Sequence, residues 1–395
     1  MTPPDAASSP HGLLVHGMGK GLVEPDWPAL TDGELSFLAS HYANLAASRA
    51  SGAAVVAWRS PRPMSAAALV RWPGHEVFVK RHEKRVRNAS QLAAEHALVR
   101  HLRSRGLCVP GVLATAAGQT AVARGDYVYE VHEVAPGVDL YRDAVSWSPF
   151  RGAGHAWAAG NALARLHRAA ADFRCPARPL GVLVNSCQVI IRPDPLAAVG
   201  RLLRVRPGLG RYLGTRRWRD DFSRSLVPAI ARAAPLLAPL ERQWGHGDWH
   251  PSNLTWTSAG ADAEVVAIFD FGLANRTFAV HDLAIALERS VVAWLDLAES
   301  GHADVDFDGL DGLLDGYESV RPLSRRERAA LAEVLPVVHL EYALSEVEYF
   351  ADVVKSAELA DLAYDTYLLG HARWLEGPEG SAVLEHLRRR TPRQA

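Results

Sequence analysis

Cysteine is nearly absent. The chain has three in 395 residues, Cys108, Cys175 and Cys187, an odd number with no C-x-x-C spacing. That excludes a disulfide framework and a thiolate zinc site, and leaves reduced packing residues. Seventeen histidines are present, but no H-E-x-x-H or other paired metalloenzyme spacing accompanies them, so no transition metal is expected. Long apolar runs are also missing: the most apolar window, 226–240, is broken by Arg232 and by prolines and is too short to cross a bilayer. The opening residues lack a basic segment followed by a continuous apolar one, so no signal peptide is expected and a cytoplasmic location is. A net charge of −1 gives no nucleic-acid footprint, and no membrane partner is expected. A glycine-rich phosphate loop is lacking too. Gly17–Gly21 fails that pattern at Leu14, where the first glycine should stand, and at Gly21, where Ser or Thr should bind metal.

What is present is the composition of a globular protein, 48% hydrophobic and 22% charged, and a length that predicts two or three domains. Its most informative stretch is His246-Gly247-Asp248-Trp249-His250-Pro251-Ser252-Asn253, then Leu-Thr-Trp-Thr, a polar break around Gly260, and Val265–Phe269 leading into Asp270-Phe271-Gly272. Two short β-prone runs around turn residues predict a hairpin. Antiparallel pairing about Gly260 then places Asn253 opposite Asp270. Both are hard oxygen donors suited to Mg²⁺, which takes one or two protein ligands and completes its shell with water and phosphate. Asp248, in a loop kept irregular by Gly247 and Pro251, is a free carboxylate able to orient a hydroxyl and accept its proton. The order Asp, five residues, Asn, then a distant Asp-Phe-Gly matches a kinase catalytic loop.

These residues, with His281-Asp282-Leu283-Ala284 beyond them, resemble the aminoglycoside phosphotransferase and choline kinase family. The resemblance implies an α+β, protein-kinase-like fold of two lobes, a small antiparallel β-sheet lobe and a larger, mainly helical one. It also implies phosphorylation of a small-molecule hydroxyl by ATP or GTP with Mg²⁺. The domain boundaries expected are 1–50 for an N-terminal extension and helix, 51–135 for the nucleotide-binding lobe, and 136–395 for the catalytic and substrate lobe.

In the small lobe, strands are expected at 55–58, 67–72 and 76–81, preceded by a helix from the capping box Thr31-x-x-Glu34 to about Ser48. Alternation puts Lys80 on the face opposite Val77 and Val79. A helix is expected over 88–106, and Glu95 lies within its apolar stripe of Leu92, Leu98, Val99 and Leu102. A carboxylate there needs a partner, and Lys80 is the candidate in the order protein kinases use. In the glycine-free loop 59–65, Ser60, Ser65 and Arg62 are candidates for phosphate contact, beside the alternative of an ordinary loop. More strands are expected at 112–114, 120–123 and 127–134. By resemblance, Glu133 and Ala135 offer a carbonyl and an amide to a purine. His167 and His246 are read as packed scaffold histidines, Asp282 as a helix cap or, by resemblance, a brace behind the catalytic loop. Residues 172–210 are opaque. Leu273 stands where many relatives carry an acid, which puts a third acidic metal contact in doubt.

Residues 288–366 hold eighteen acidic against six basic side chains, a local charge of −12 that leaves +11 elsewhere. The close-spaced Glu341, Glu346, Glu348 and Asp352 form either a solvated helix face or the wall of a site for an amine-bearing acceptor. Two other readings compete with a small-molecule kinase. A protein kinase is disfavoured by the missing Ala-Pro-Glu and the short segment after Gly272. A silent nucleotide-binding scaffold is disfavoured because Lys80, Asp248, Asn253 and Asp270 are all present.

Overall fold

The computed structural model describes residues 14–16, 19, 21–49 and 52–390, so most of the Gly17–Gly21 run lies outside the described residues. Among the described residues eleven strands are formed: β1 (Val15–His16), β2 (Leu22–Val23), β3 (Val55–Arg59), β4 (Ala66–Trp72), β5 (His75–Glu83), β6 (Val122–Arg124), β7 (Tyr127–Glu133), β8 (Arg242–Gly245), β9 (Leu254–Trp256), β10 (Val265–Ile268) and β11 (Asn275–Phe278). Five make one antiparallel sheet in the order β3-β4-β5-β7-β6. Opposed residues point to one side, so Val70↔Val77 and Val79↔Val131 put these valines on a single face. That face is buried against Leu35, Leu38 and Tyr42. The other face, carrying Phe78, Lys80 and Glu130, turns to the cleft, as alternation requires.

Helix α1 (Asp32–His41) begins at the expected capping box, with the Glu34 N–H on Thr31 and the Thr31 N–H on the Glu34 carboxylate. It stops at Tyr42, whose extended backbone (φ −106°, ψ 115°) separates it from α2 (Ala43–Arg49). Tyr42 is driven into the core there, which a continuous helix would prevent. Glu34 also accepts from Arg81 at 2.7 Å and from the Tyr129 hydroxyl at 2.6 Å, fastening α1 to the sheet. Helix α3 (Ala89–Ser104) starts at the Asn88–Gln91 capping box. The segment 112–114 forms only an isolated bridge, Val112↔His132, because β7 already pairs with β5 and β6.

The chain leaves β7 through Pro136 and Gly137, and Val138 exchanges two backbone hydrogen bonds with Trp256 at 2.8 and 2.9 Å. Gly137 takes φ +95°, and a Cβ there would lie 3.0 Å from the Trp256 carbonyl oxygen, so the crossover needs a glycine. Beyond it the structure is mainly helical around one large apolar core. Within it, α4 (Ala153–Ala170) and the Phe307–Val320 helix approach backbone to backbone. A Cβ on Gly160 would sit 1.9 Å from the Leu313 oxygen, and one on Gly316 1.9 Å from the Trp157 oxygen. None of the described helices is long and apolar enough to cross a membrane.

This crossing gives a direct test. Gly316→Ala should lower unfolding free energy by about 1–3 kcal/mol, the usual cost of overpacking, because two main chains must part. The denaturation midpoint in urea should fall with the slope unchanged.

Candidate active site

The loop 246–253 is suspended between β8 and β9, and one buried carboxylate shapes it. Asp282, near the start of the Ala279–Val291 helix, accepts the N–H groups of His246 and Gly247, each at 2.7 Å, and the His167 Nε2 at 2.9 Å. It braces the loop from behind and does not cap its own helix, whose N-cap is Phe278. Burial alone would raise the Asp282 carboxyl, but these donors hold it below its ordinary value. His167 is completed by the Tyr317 hydroxyl at 2.7 Å and is structural, as expected. His246 accepts from the Asp248 N–H at Nδ1 (3.2 Å), so its proton sits on Nε2, which donates to the Phe269 carbonyl at 2.9 Å. Burial favours that neutral imidazole.

The expected hairpin forms, but one residue out of the expected register. Trp256 pairs with Val265, an irregularity follows between Val265 and Ala267, and Leu254 then pairs with Ile268. Asn253 therefore stands opposite Phe269, whose N–H reaches its carbonyl at 3.1 Å, and Asp270 is the next residue along. The Asn253 carboxamide is oriented through Nδ2, which donates to the Asp248 carbonyl at 2.8 Å and faces His250 Nε2 at 3.1 Å. That leaves Oδ1, the acceptor end of the carboxamide, as its atom with the chemistry to hold a cation. Asp270 adopts the left-handed conformation (φ 60°, ψ 68°), sharply turning the chain after β10. Its Oδ1 accepts from Lys80 Nζ at 2.7 Å and from the Gly272 N–H at 3.3 Å. Burial opposes the charge on Asp270, but Lys80 keeps its carboxyl well below the ordinary range, and Asp270 in turn holds the Lys80 ammonium up. A hard-oxygen carboxylate and carboxamide at one cleft fit Mg²⁺.

Lys80 thus differs from the sequence expectation. Its hydrogen bond goes to Asp270, while the buried Glu95 has its nearest recorded cation in Arg178, 4.0 Å away. Glu95 still contributes to the field at Lys80 and lines the same cleft. The reason is positional: Asp270 projects at Lys80 from its tight turn, and Arg178 arrives from the opaque segment 172–210. That segment also supplies Asn185, which donates to the Gly247 carbonyl at 2.9 Å, and Arg178 donates to the Gly272 carbonyl at 2.6 Å. No local pattern marks either residue.

A second carboxylate beside Lys80 was missed. Glu130 is its register partner on β7 and gathers three histidines: His82 at 2.9 Å, His96 at 2.6 Å and His132 at 3.1 Å. Ligand atoms of His96, Glu130 and His132 lie within 4.8 Å of one another. The histidines come from β5, α3 and β7, so spacing along the chain does not announce them. The charged residue inside an alternating strand was the available signal.

Two cavities meet at Arg62, Lys80, Asn253 and Asp270. The first, about 400 Å³, runs between the sheet residues Trp58, Leu69 and Phe78 and the crossover Glu133–Ala135, with Ser60 at its rim. The Glu133 carboxylate is taken by Arg103 and the Gly111 N–H, and its own N–H by the Gly111 carbonyl at 2.8 Å. Ser60 Oγ accepts the Arg62 N–H at 3.4 Å, and Arg62 donates to the Ala144 carbonyl at 3.0 Å. Burial pulls the Arg62 guanidinium down to about 10.

The second cavity, about 200 Å³, is lined by Asp248, Trp147, Arg289, Tyr342 and Glu346. Asp248 forms an ion pair with Arg289. The acidic cluster does not wall this cavity as a group. Glu341 is buried and accepts from Ser186 and the Val189 N–H, Glu348 pairs with Arg206 at 2.5 Å, and Asp352 binds Arg211 and Lys355. Only Glu346 of the four lines the cavity, so the charge asymmetry mostly serves internal pairing.

A five-stranded antiparallel lobe, a helical lobe and a catalytic hairpin between them define the class of protein-kinase-like phosphotransferases. The sequence model described as Phosphotransferase enzyme family matches residues 65–323, and the chain belongs to that family. It is a small-molecule kinase with a hydroxyl acceptor. It is 29% identical over 287 residues to a homoserine kinase of Xanthobacter autotrophicus, covering 70% of this chain and 74% of that one. It is 28% identical over 293 residues to a homoserine kinase of Afipia carboxidovorans, covering 72% and 76%. Its fold is similar to a microcompartment-associated aminopropanol kinase, with TM-score 0.51, 16% identity and coverage of 86% of this chain and 95% of that one. It is also similar to the amicoumacin kinase hAmiN in complex with AMP-PNP and Ca²⁺, with TM-score 0.50, 15% identity and coverage of 79% and 88%.

The Asp282 arrangement has a pH signature. Asp282→Asn should cost about 3 kcal/mol at neutral pH, the scale for removing one partner of a buried pair. Because the folded carboxyl lies below its unfolded value of about 3.9, its stabilisation is present above that pH and is lost as pH falls through the folded value. Denaturation series should show the gap between wild type and variant narrowing below about pH 4.

Proposed function

We propose that the protein transfers the γ-phosphoryl group of ATP, or of GTP, to the hydroxyl of a small acceptor, with Mg²⁺. The observation that carries this reading is the meeting of a larger and a smaller cavity at Lys80, Asn253 and Asp270, with Asp248 on the smaller side. The base lies between the sheet face and the crossover, where the main chain of Glu133 and Ala135 offers hydrogen bonds. Lys80 and Arg62 meet the phosphates, with Ser60 at the loop. Asn253 and Asp270 hold the metal, which when bound neutralises charge on the phosphate oxygens. Glu95 and Glu130 keep the Lys80 ammonium charged and in place.

The acceptor hydroxyl lies at Asp248. Its oxygen forms the new bond to the γ-phosphorus as the bond to the β–γ bridging oxygen breaks. Its proton passes to the Asp248 carboxylate, and the nucleoside diphosphate leaves with the bridging oxygen's electrons. Between Gly272 and the helix at Ala279 the chain forms a short turn and β11, which offers no platform for a peptide and supports a small acceptor. Homoserine is the first acceptor to test, because the two relatives described above carry its name.

Asp248→Asn should lower kcat by about 10²–10⁴, the usual range for general-base loss, while leaving the affinity for Mg-nucleotide unchanged. Asp270→Asn should abolish transfer in a folded protein and remove the Mg²⁺ dependence of nucleotide binding. Calorimetry with and without Mg²⁺ reads this directly, and equal metal dependence in wild type and variant would remove Asp270 from the metal site.

A further inference from the structure

The cavity beside Asp248 contains two buried ionisable side chains of opposite sign with unfilled hydrogen-bonding capacity. Arg289, 2% exposed, lies between two aromatic faces, its guanidinium carbon 5.3 Å from the centre of Trp147 and 5.0 Å from that of Tyr342. One of its terminal nitrogens pairs with Asp248, but its Nε has no hydrogen-bond partner and lies 4.0 Å from Glu288. Glu346, also 2% exposed, has Oε2 without a partner. Buried polar atoms are normally satisfied, so two of opposite sign left open on one cavity wall call for a partner, water or ligand. At about 200 Å³ the space is below the range of drug-sized pockets, roughly 300–1,000 Å³, which suits a molecule of few heavy atoms.

We propose that Arg289 and Glu346 are the specificity-determining pair for the acceptor, and that the acceptor is a small dipolar molecule, an amino acid with a terminal hydroxyl. Its carboxylate takes the Arg289 guanidinium from Asp248, and its ammonium meets Glu346. The inference rests on the kinase reading above and adds that both charges of the acceptor are recognised. Exchange at Arg289 has a catalytic consequence. Asp248 is held by the Arg289 cation, and the acceptor's own anion releases it to receive the hydroxyl proton. Burial raises the Glu346 carboxyl to about 8, against the opposing pull of Arg289 and Tyr342, and an arriving ammonium favours its charged form. Arg62 and Lys80 line the cavity where it meets the larger one, and Arg87, with its Nη1 also unpartnered, is a further cation on this wall. It donates to the Leu183 carbonyl and makes no recorded contact with Asp248, which is why the assignment falls on Arg289.

The test is a matched panel of acceptors under Mg-ATP: L-homoserine with both charges, 3-aminopropan-1-ol without the carboxylate, 4-hydroxybutanoate without the ammonium, and 1,3-propanediol with neither. Wild type should favour L-homoserine in kcat/KM by about 10- to 100-fold over each singly charged analogue, as loss of one charge-assisted hydrogen bond implies. Glu346→Gln should raise KM for L-homoserine and collapse its advantage over 4-hydroxybutanoate while keeping its advantage over 3-aminopropan-1-ol. Arg289→Lys should do the converse. The wild-type panel decides even if a variant is unstable. Preference for a singly charged or neutral acceptor would overturn the dipolar assignment and leave the kinase reading standing, as would a Glu346→Gln variant that slows all four alike. No phosphorylation of any hydroxyl compound, by protein that binds Mg-ATP, would overturn the kinase reading itself.

Discussion

The catalytic loop keeps its shape because a single buried carboxylate accepts three hydrogen bonds at once. Asp282 fixes two consecutive backbone amides, His246 and Gly247, and is itself fixed by His167. A Cβ on Gly245 would fall 2.5 Å from its Oδ2, and one on Gly247 2.3 Å from the Leu273 oxygen, so the loop's glycines follow from this packing. The His246 ring then passes the constraint to the Phe269 carbonyl, just before Asp270. The two carboxylates proposed for catalysis, Asp248 and Asp270, are thereby located by one chain of hydrogen bonds within the helical lobe. Buried networks of this kind are rigid when fully satisfied and costly when one member is lost.

Against that frame the small lobe contributes charge rather than shape. Its sheet offers Lys80 and Glu130 side by side on the cleft face, and α3 adds Glu95 behind them. A lysine buried with three carboxylates, Asp270, Glu95 and Glu130, stays protonated despite its desolvation. The three histidines around Glu130 share that carboxylate's burden. Burial would neutralise it, and they hold its carboxyl well down.

Much of this was legible before any coordinates. The hairpin, the orientation of Lys80, the capping box at Thr31, and the structural roles of His167 and His246 follow from local rules of periodicity, turn chemistry and capping, which operate over a few residues. What sequence reading missed depends on contacts between distant segments. Asn185 holds the catalytic loop at Gly247 and Arg178 holds the turn at Gly272, both from irregular chain ahead of the Pro195–Val205 helix. The acidic set was misjudged as a group because composition counts charges without their partners: Arg206 reaches Glu348, and Ser186 and backbone amides reach Glu341. Arg289 had a usable signal, since it follows Asp282 by seven residues and so returns to the same face of one helix.

The contact between Lys80 and Asp270 joins a strand of the sheet to the hairpin of the helical lobe. In the proposed reading, a metal–phosphate pair enters by double exchange: the cation goes to Asp270 and the anion to Lys80, so each of the two resident charges is handed a new counterpart. Neither resident charge is left without a counterpart at any point in the exchange. The protein then resembles an ion exchanger already in its self-paired form, which selects for a ligand that brings both signs together and resists phosphate or metal arriving alone.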